Sequence, residues 1–373
     1  MKFVVSSSSL FGHLQAISRV VNAKSTLPIL ECFLFDLKDG VLSLTASDNE
    51  TTLETSLQTN ECDMDGRFAL SSKTILDALK EIPEQPLTFE VNLENLETTI
   101  LYQNGKYSLM GQQGDEFPQP IQLDEHATHV EIAPDVLLNG ISRTLFATGD
   151  DEYRLIFTGI YFDITTDDIT MVASDSRKLV RNKTFASHGS EVSSFTLPKK
   201  PAMLIKNLLP KEENTVSIEF DQRNAVFTLS NFRMACRLIE GRYPNYNAVI
   251  PKENPYKVTI DRQQLLSVLR RVSVFGSSTS LIKFRLQNNQ MTVSAQNIDF
   301  STSAEEIIVC QYADAPMSIG FSSTCLIDIL NNMTATDIII ELADPSRAGV
   351  IVPVEQDEKE DLLMLLMPMM LNE

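Results

Sequence analysis

The same four-block pattern recurs three times along this 373-residue chain, about every 125 residues, and a repeat of that length narrows the possible folds more than any other feature. The first block reads "FVVSSSSLFGHL" from Phe3, "VEIAPDVLLNGI" from Val130 and "VTIDRQQLLSVL" from Val258. In each, an alternating apolar triplet typical of a strand passes through a polar start into helical spacing: Leu10 and Leu14, Leu137 and Ile141, Leu265 and Leu269. The second block is an alternating strand running into a polar turn around Asp48, Asp175 and Asn297. The third, "RFALSSKTILDAL", "SFTLPKKPAMLI" and "SIGFSSTCLIDIL", again joins a strand to a helix. The fourth places an aromatic or apolar residue before proline: Phe117-Pro118, Tyr243-Pro244 and Met367-Pro368.

The first and third blocks also resemble each other, with Phe3, Leu10 and Leu14 matching Phe68, Ile75 and Leu79. Each repeat is therefore a doubled unit of one helix and a few strands, and the expected class is α+β, three domains each with two helices on antiparallel sheets. Polar, proline-bearing linkers at "DEHATH" and "PKENPY" set the expected domains at 1–126, 127–253 and 254–373. Helices are expected over 10–24, 71–83, 135–147, 198–211, 262–272 and 322–333. The methionine-rich tail "LLMLLMPMMLNE" occupies the closing position of the third repeat, so most of it is expected to be a strand.

Composition, 43% hydrophobic and 22% charged, is that of a globular protein. No window reaches the run of about 18 apolar residues that a membrane span needs. A serine run interrupts any signal-peptide core at the N-terminus, and five scattered cysteines without a CxxC pair fit a reducing compartment, so a cytoplasmic location is expected. The formal net charge of -19 opposes loose attraction to a polyanion. The predicted helices are nonetheless net positive, with Lys199, Lys200, Lys206 and Lys211 on one and Arg262, Arg270 and Arg271 on another. If equivalent helices share a surface, that surface attracts phosphates without reading sequence. The bland alternative is that lysine and arginine are good helix formers on solvated faces.

The blocks and their order resemble the bacterial DNA polymerase III beta subunit, the sliding-clamp family. The motifs carrying this are "MKFVV", "TLPIL" (26–30), "LTASDNE" (44–50), "VASDSRKL" (172–179), "GRYPNYNAVIP" (241–251) and "MPMML" (367–371). The resemblance spans essentially the whole chain. It implies a head-to-tail homodimeric ring around duplex DNA, making and breaking no bond itself, needing no cofactor or metal, and tethering the DNA polymerase III alpha subunit. It also implies a groove taking a short peptide motif from that subunit, from the clamp loader, and from other polymerases and repair proteins.

By resemblance, one groove wall is Ser174, Ser176, Arg177, Lys178 and Leu179, with Phe157 below; the other is Pro244, Val249, Leu365, Leu366, Met367, Pro368 and Met369. Methionine is flexible and polarizable, which suits a groove that accepts several peptides. Family interface positions fall on Tyr107, Leu109, Val274 and Phe275. Candidate DNA contacts are Lys24, Lys73, Arg143, Lys199, Lys200, Arg270 and Arg271. Family members often have Gly-His-Arg where this chain has Ser176, Arg177 and Lys178, and an arginine where it has Ala248; Asp151 stands at a family DNA-contact position, and the chain runs on to Asn372 and Glu373.

Other chemistry is weaker. No GxxxxGK[ST] or GxGxxG indicates a nucleotide, and His126 and His129 lie three apart in a linker without a nearby cysteine. "ASD" at 46–48 and 173–175 recurs at equivalent turns, which favours a turn-capping aspartate over a nucleophile. Two rival readings stay open: a repeat-built hydrolase or transferase using Asp48, Asp175 and His13, and a protein-binding scaffold that ignores DNA.

Overall fold

The computed structural model describes residues 1–22, 25 and 27–371. Six α-helices lie among them: α1 (Ser7–Ile17), α2 (Ser72–Lys80), α3 (Pro134–Thr144), α4 (Lys199–Leu208), α5 (Arg262–Val272) and α6 (Ser323–Asn331). Every strand pairing is antiparallel. No helix among the described residues is long and apolar enough to cross a membrane.

Four helices start where a strand ends on an oxygen-bearing side chain. Ser6 accepts from the Ser9 N–H, Ser71 from Thr74, Asp261 from Gln264 and Ser322 from Cys325, each satisfying an otherwise orphaned donor. That cap explains a boundary the apolar spacing misplaces: α1 is expected from residue 10, but the capped serine run begins it at Ser7. It also ends early, at Ile17, and passes into a 3-10 turn, Ser18–Val20. α5 coincides with its expected span, because Asp261 and the apolar stripe of Leu265 and Leu269 mark the same register.

The chain forms two compact units, Met1–Pro134 with Met203–Leu238, and Asp135–Ala202 with Ile239–Glu373. The first holds a five-stranded and a nine-stranded sheet. At the middle of the larger one, Thr51–Gln58 pairs with Phe232–Arg237. Its core is aromatic: Phe3 stacks on Phe89 with centroids 4.8 Å apart, and Phe35 on Phe68 at 5.1 Å.

The second unit holds a four-stranded sheet and an eight-stranded one. The larger runs Ser193–Pro198, Gly159–Ile164, Ile169–Ser174, Lys178–Thr184, Glu360–Leu366, Gly349–Pro353, Asp337–Leu342 and Tyr256–Asp261. α5 and α6 pack together in this unit, with Leu265, Leu269, Ile329 and Leu330 fully buried beside Phe284. The two units do not coincide with the three sequence repeats: the central repeat supplies strands to a large sheet in each.

The three equivalent turns share one device. Asp48 Oδ1 accepts from the N–H groups of Glu50 and Thr51, Asp175 Oδ1 from Arg177 and Lys178, and Asn297 Oδ1 from Asp299 and Phe300. These side chains are occupied in closing turns. Removing the α5 cap by Asp261→Ala is expected to cost about 1 kcal/mol, read as a lower urea midpoint at unchanged slope.

Candidate functional site

The tail strand Glu360–Leu366 is interior to the eight-stranded sheet. It pairs on one side with Lys178–Thr184, Leu365 facing Leu179 and Leu366 facing Lys178, and on the other with Gly349–Pro353. Leu362, Met364, Leu365 and Leu366 are buried, so the apolar tail is core up to Leu366. Its charged start is also used: Glu360 pairs with Arg143, and Asp361 Oδ2 accepts from Arg181 at 2.5 Å.

Beyond the strand the backbone stays tied. The Met367 N–H donates to the Arg177 carbonyl at 2.9 Å, and the Met369 N–H to the Gly320 carbonyl at 2.8 Å. Gly320 permits that crossing, since a Cβ there would lie 2.7 Å from the Met369 carbonyl oxygen. The side chains are left outward, Met367 and Met370 being 45% and 85% exposed. Asn372 and Glu373 lie outside the described residues.

Beside this tail lies an aromatic floor. Tyr161 stacks on Tyr243 at 4.6 Å and 9°, Phe157 meets Tyr243 edge-on at 5.9 Å, and Tyr246 donates to Asp163 Oδ2 at 2.7 Å. Val172, Leu179, Tyr243, Tyr246, Ala348 and Leu365 form one buried cluster, with Phe157 and Ile250 packed against it. Burial, then the neighbouring Tyr161, pushes the Tyr243 hydroxyl well above the usual tyrosine range. Val249 and Pro244 are exposed beside it.

The wall at 174–179 is a tight turn. Ser174 Oγ donates to the Lys178 carbonyl at 2.8 Å and accepts from the Ser176 N–H at 3.1 Å. Ser176 has φ of 74°, a left-handed conformation that costs a non-glycine residue about 1 kcal/mol. Lys178 is not presented to the groove: its side chain is 8% exposed and its ammonium donates to Asp175 Oδ2 at 2.8 Å, with Asp328 of α6 3.8 Å away. Burial raises the Asp175 carboxyl, but hydrogen bonds from the Lys178 ammonium and from the Lys178 and Arg177 N–H groups outweigh it, leaving a pKa below the ordinary value.

Of the thirteen expected groove residues, all belong to the second unit, but they divide in role. Ser174, Lys178, Leu179, Leu365 and Leu366 are buried and build the frame, while Phe157, Ser176, Arg177, Pro244, Val249, Met367, Pro368 and Met369 retain accessible surface. Tyr161, Tyr243, Tyr246 and Arg154 were not expected. The tyrosine before Pro244 was available as a signal, being the repeat's closing aromatic, whereas Arg154 follows no pattern.

The first unit carries an equivalent place with different chemistry. There Thr45 and Thr52 stand three before and four after Asp48, as Val172 and Leu179 stand about Asp175. A cavity of about 390 Å³ lies there, lined by them with Asp36, Glu54, Arg67 and Arg233. Arg233 donates to Glu54 at 3.3 Å, and Arg67 lies 3.6 Å from Asp36. Leu34, Phe117, Leu229 and Phe232 line it as well, so threonines and ion pairs here share the surface with apolar side chains.

Among the expected basic contacts, Lys73 is exposed on α2. Lys199 donates to Asp150 at 2.6 Å, Arg270 to Asn331 at 2.8 Å, and Arg271 makes a bidentate pair with Glu306. Lys200 is half-buried at the start of α4. Arg143 corrects the expectation: its side chain is 19% exposed and is held by Glu360 and Asn182 against the sheet, so it is not available to a phosphate. Lys24 lies outside the described residues. Tyr107 and Leu109 lie half-exposed on Gly105–Met110, the outer strand of the five-stranded sheet, and Val274 and Phe275 are 77% and 43% exposed in the turn after α5.

Repeated helix-and-antiparallel-sheet modules, three to a chain, define an α+β clamp fold. Models of the DNA polymerase III beta subunit match its N-terminal domain to residues 1–122, its central domain to 131–245 and its C-terminal domain to 247–370. The chain is 27% identical over 364 residues to the beta sliding clamp of Synechococcus elongatus, covering 95% of this chain and 96% of that one. It superposes on the DNA polymerase sliding clamp of Pseudomonas aeruginosa with a TM-score of 0.94 at 23% identity, and on the Bartonella birtlesii sliding clamp bound to griselimycin with 0.92 at 25%, all chains fully covered. The chain belongs to the DNA polymerase III beta subunit family. Its function is that of a DNA sliding clamp, a non-catalytic subunit serving processive replication.

The Lys178–Asp175 pair gives a pH-dependent expectation. A carboxyl depressed on folding stabilises above its unfolded value of about 3.9, and that stability is lost as pH falls through the lower folded value. Lys178→Met leaves the half-buried Asp175 without its ammonium partner, at a cost of about 1–3 kcal/mol near pH 7. The deficit shrinks as acid protonates Asp175, and it is smallest once the pH has fallen through the depressed folded value of the unaltered protein. Urea unfolding across this pH range measures it, and a pH-independent deficit would exclude the ion pair as its source.

Proposed function

We propose that two copies of this chain close head to tail into a ring around duplex DNA, and that the groove at 174–179 and 367–369 tethers the DNA polymerase III alpha subunit. The clamp loader, other polymerases and repair proteins dock there through short peptides. The domains run 1–126, 127–253 and 254–373. The observation carrying the reading is the tail: its strand is locked into the sheet up to Leu366, while Met367, Pro368 and Met369 pass beside an aromatic floor with their backbone already tied down. A groove so pre-organised has little ordering entropy left to lose on binding.

Tyr107 and Leu109 of one copy meet Val274 and Phe275 of the next, burying apolar surface now exposed. DNA is held by sequence-independent phosphate contacts from Lys73, Lys199, Lys200, Arg270 and Arg271, with Lys24 added. The ion pairs of Lys199 and Arg271 are exposed, so a phosphate can displace the carboxylate partner at small cost.

The test is mass by light scattering, then retention on nicked circular DNA with a clamp loader, before and after linearisation. A dimer that stays on circles and leaves linear ends is expected, whereas equal retention on both forms would exclude topological linkage. Val274→Asp with Phe275→Asp is expected to give monomers, because burying two unpaired carboxylates costs several kcal/mol; dimers at micromolar concentration would refute the joint. Deleting residues 367–373 is expected to abolish binding of a polymerase-derived peptide while leaving the far-ultraviolet circular dichroism, and normal binding by the truncated chain would refute the groove.

A further inference from the structure

Two rows of side chains cross one face of the nine-stranded sheet in the first unit, and strand register sets both. Arg67, Asp36, Ser43 and Ser56 stand opposite one another in turn on four neighbouring strands. Leu34, Thr45, Glu54 and Arg233 do the same in the next row, two residues along each shared strand and so on the same face. Together they form the wall of the cavity of about 390 Å³, to which Phe117 and Phe232 add apolar surface. The volume is in the range of ligand pockets.

One corner of this wall is left with unfilled hydrogen-bonding capacity. Arg67 Nε lies 3.6 Å from Asp36 Oδ2, and Arg67 Nη1 lies 3.7 Å from Asp115 Oδ1, both beyond hydrogen-bond reach. The Arg67 side chain is only 28% exposed and its Nε is buried, yet the guanidinium donates to no described residue, and the Asp36 carboxylate accepts from none. The stem of Arg67 is pinned, because it runs beneath Gly114, where a Cβ would lie 2.6 Å from Arg67 Cγ. At the opposite corner Arg233 donates to Glu54 at 3.3 Å. The four charged residues of the lining cancel, while exposed Asp115 and Glu116 add negative charge outside it. An anion therefore gains no net attraction here, and a cation would lie against two guanidinium groups.

We infer that this cavity is a further peptide site, and that it takes the side-chain carboxamide of a glutamine or asparagine on an extended segment of a partner protein. A carboxamide is neutral and both accepts and donates: its oxygen accepts from Arg67 and its NH2 donates to Asp36, so one group satisfies the two side chains left unpaired. The hydroxyls of Ser43, Thr45 and Ser56, which also donate and accept, face the segment's backbone as it runs toward Glu54 and Arg233. Strands lie about 4.8 Å apart, so Asp36 and Glu54 are separated by roughly 10 Å, the length of about three extended residues. Pinning of Arg67 lowers the entropy lost on binding. No residue is shared with the groove in the second unit, and the inference does not depend on it.

Hydrogen exchange read by mass spectrometry on the full-length protein tests this by location, with acetyl-Leu-Gln-Leu-N-methylamide as the probe. Slower exchange is expected at 43–56 and 228–233, at a concentration about fivefold lower than the Glu analogue requires. Arg67→Met is expected to remove that difference between the two peptides. Ser56→Phe, which fills the cavity from an exposed position, is expected to abolish the protection while leaving the far-ultraviolet circular dichroism unchanged. Protection confined to 174–179 and 363–366 would overturn the inference and leave the groove standing, and protection at neither place would overturn the inference alone, since the groove has its own test in the truncated chain. Equal protection by the Gln and Glu peptides, or a difference that survives Arg67→Met, would overturn the carboxamide as the recognised group. Equal protection by propanamide at the same concentration would overturn a peptide as the occupant.

Discussion

The pairing of Glu360–Leu366 with Lys178–Thr184 holds the second unit together. Segments about 180 residues apart in sequence join through seven paired positions, and the tail strand becomes interior to a sheet of eight. Loop closure over that distance is costly in entropy, so the pairing must be supported on every side. Apolar burial of Leu362, Met364, Leu365 and Leu366 supplies much of that support. Arg143 with Glu360 and Arg181 with Asp361 neutralise the charged end of the strand where it enters the core. The first unit uses the same device, with Thr51–Gln58 paired to Phe232–Arg237 at the corresponding place. What differs is the chemistry at each junction: a buried aromatic and apolar cluster in one, threonines and ion pairs mixed with apolar side chains in the other.

The candidate site follows from that frame. A strand held firmly up to Leu366 delivers Met367, Pro368 and Met369 to a fixed place, and the turn at 174–179 delivers Ser176 and Arg177 opposite. Lys178 acts within the frame, because its buried ammonium holds Asp175 and Asp175 holds the turn. Arg154 then bridges the turn to the loop carrying Phe157. Rigid elements fix the site, while its accessible atoms come from the ends of those elements.

The repeat was legible because each block joins two periodicities through a polar cap, and that combination recurs at equal spacing. It located α5 correctly and identified Asp48, Asp175 and Asn297 as turn residues. Where it failed, the cause was non-local. The serine run hides the start of α1 because serine reads as a breaker unless its role as cap is recognised. The continuous sheets of nine and eight strands were not legible, since pairing across repeats depends on which edges meet rather than on any local pattern. Arg143 looked like its neighbours on the helical track, and only the placement of Glu360 turns it inward. The resemblance named the candidate groove residues, but residue identities alone did not separate those that are buried from those that are exposed, and nothing in the local sequence links Arg154 to Ser176.

The last tethers of the tail are made by backbone alone, the Met367 N–H to Arg177 and the Met369 N–H to Gly320. Main-chain hydrogen bonds are indifferent to the side chains hung upon them. Residues 367, 369 and 370 can therefore change identity without loosening the path of the chain, so the rim can drift in sequence while the scaffold stays constant. Gly320 has no such freedom, because any side chain there displaces the crossing backbone. Selection on the side chains at this rim is in this way uncoupled from selection on the fold that presents them, and the uncoupling depends on one residue that carries no side chain.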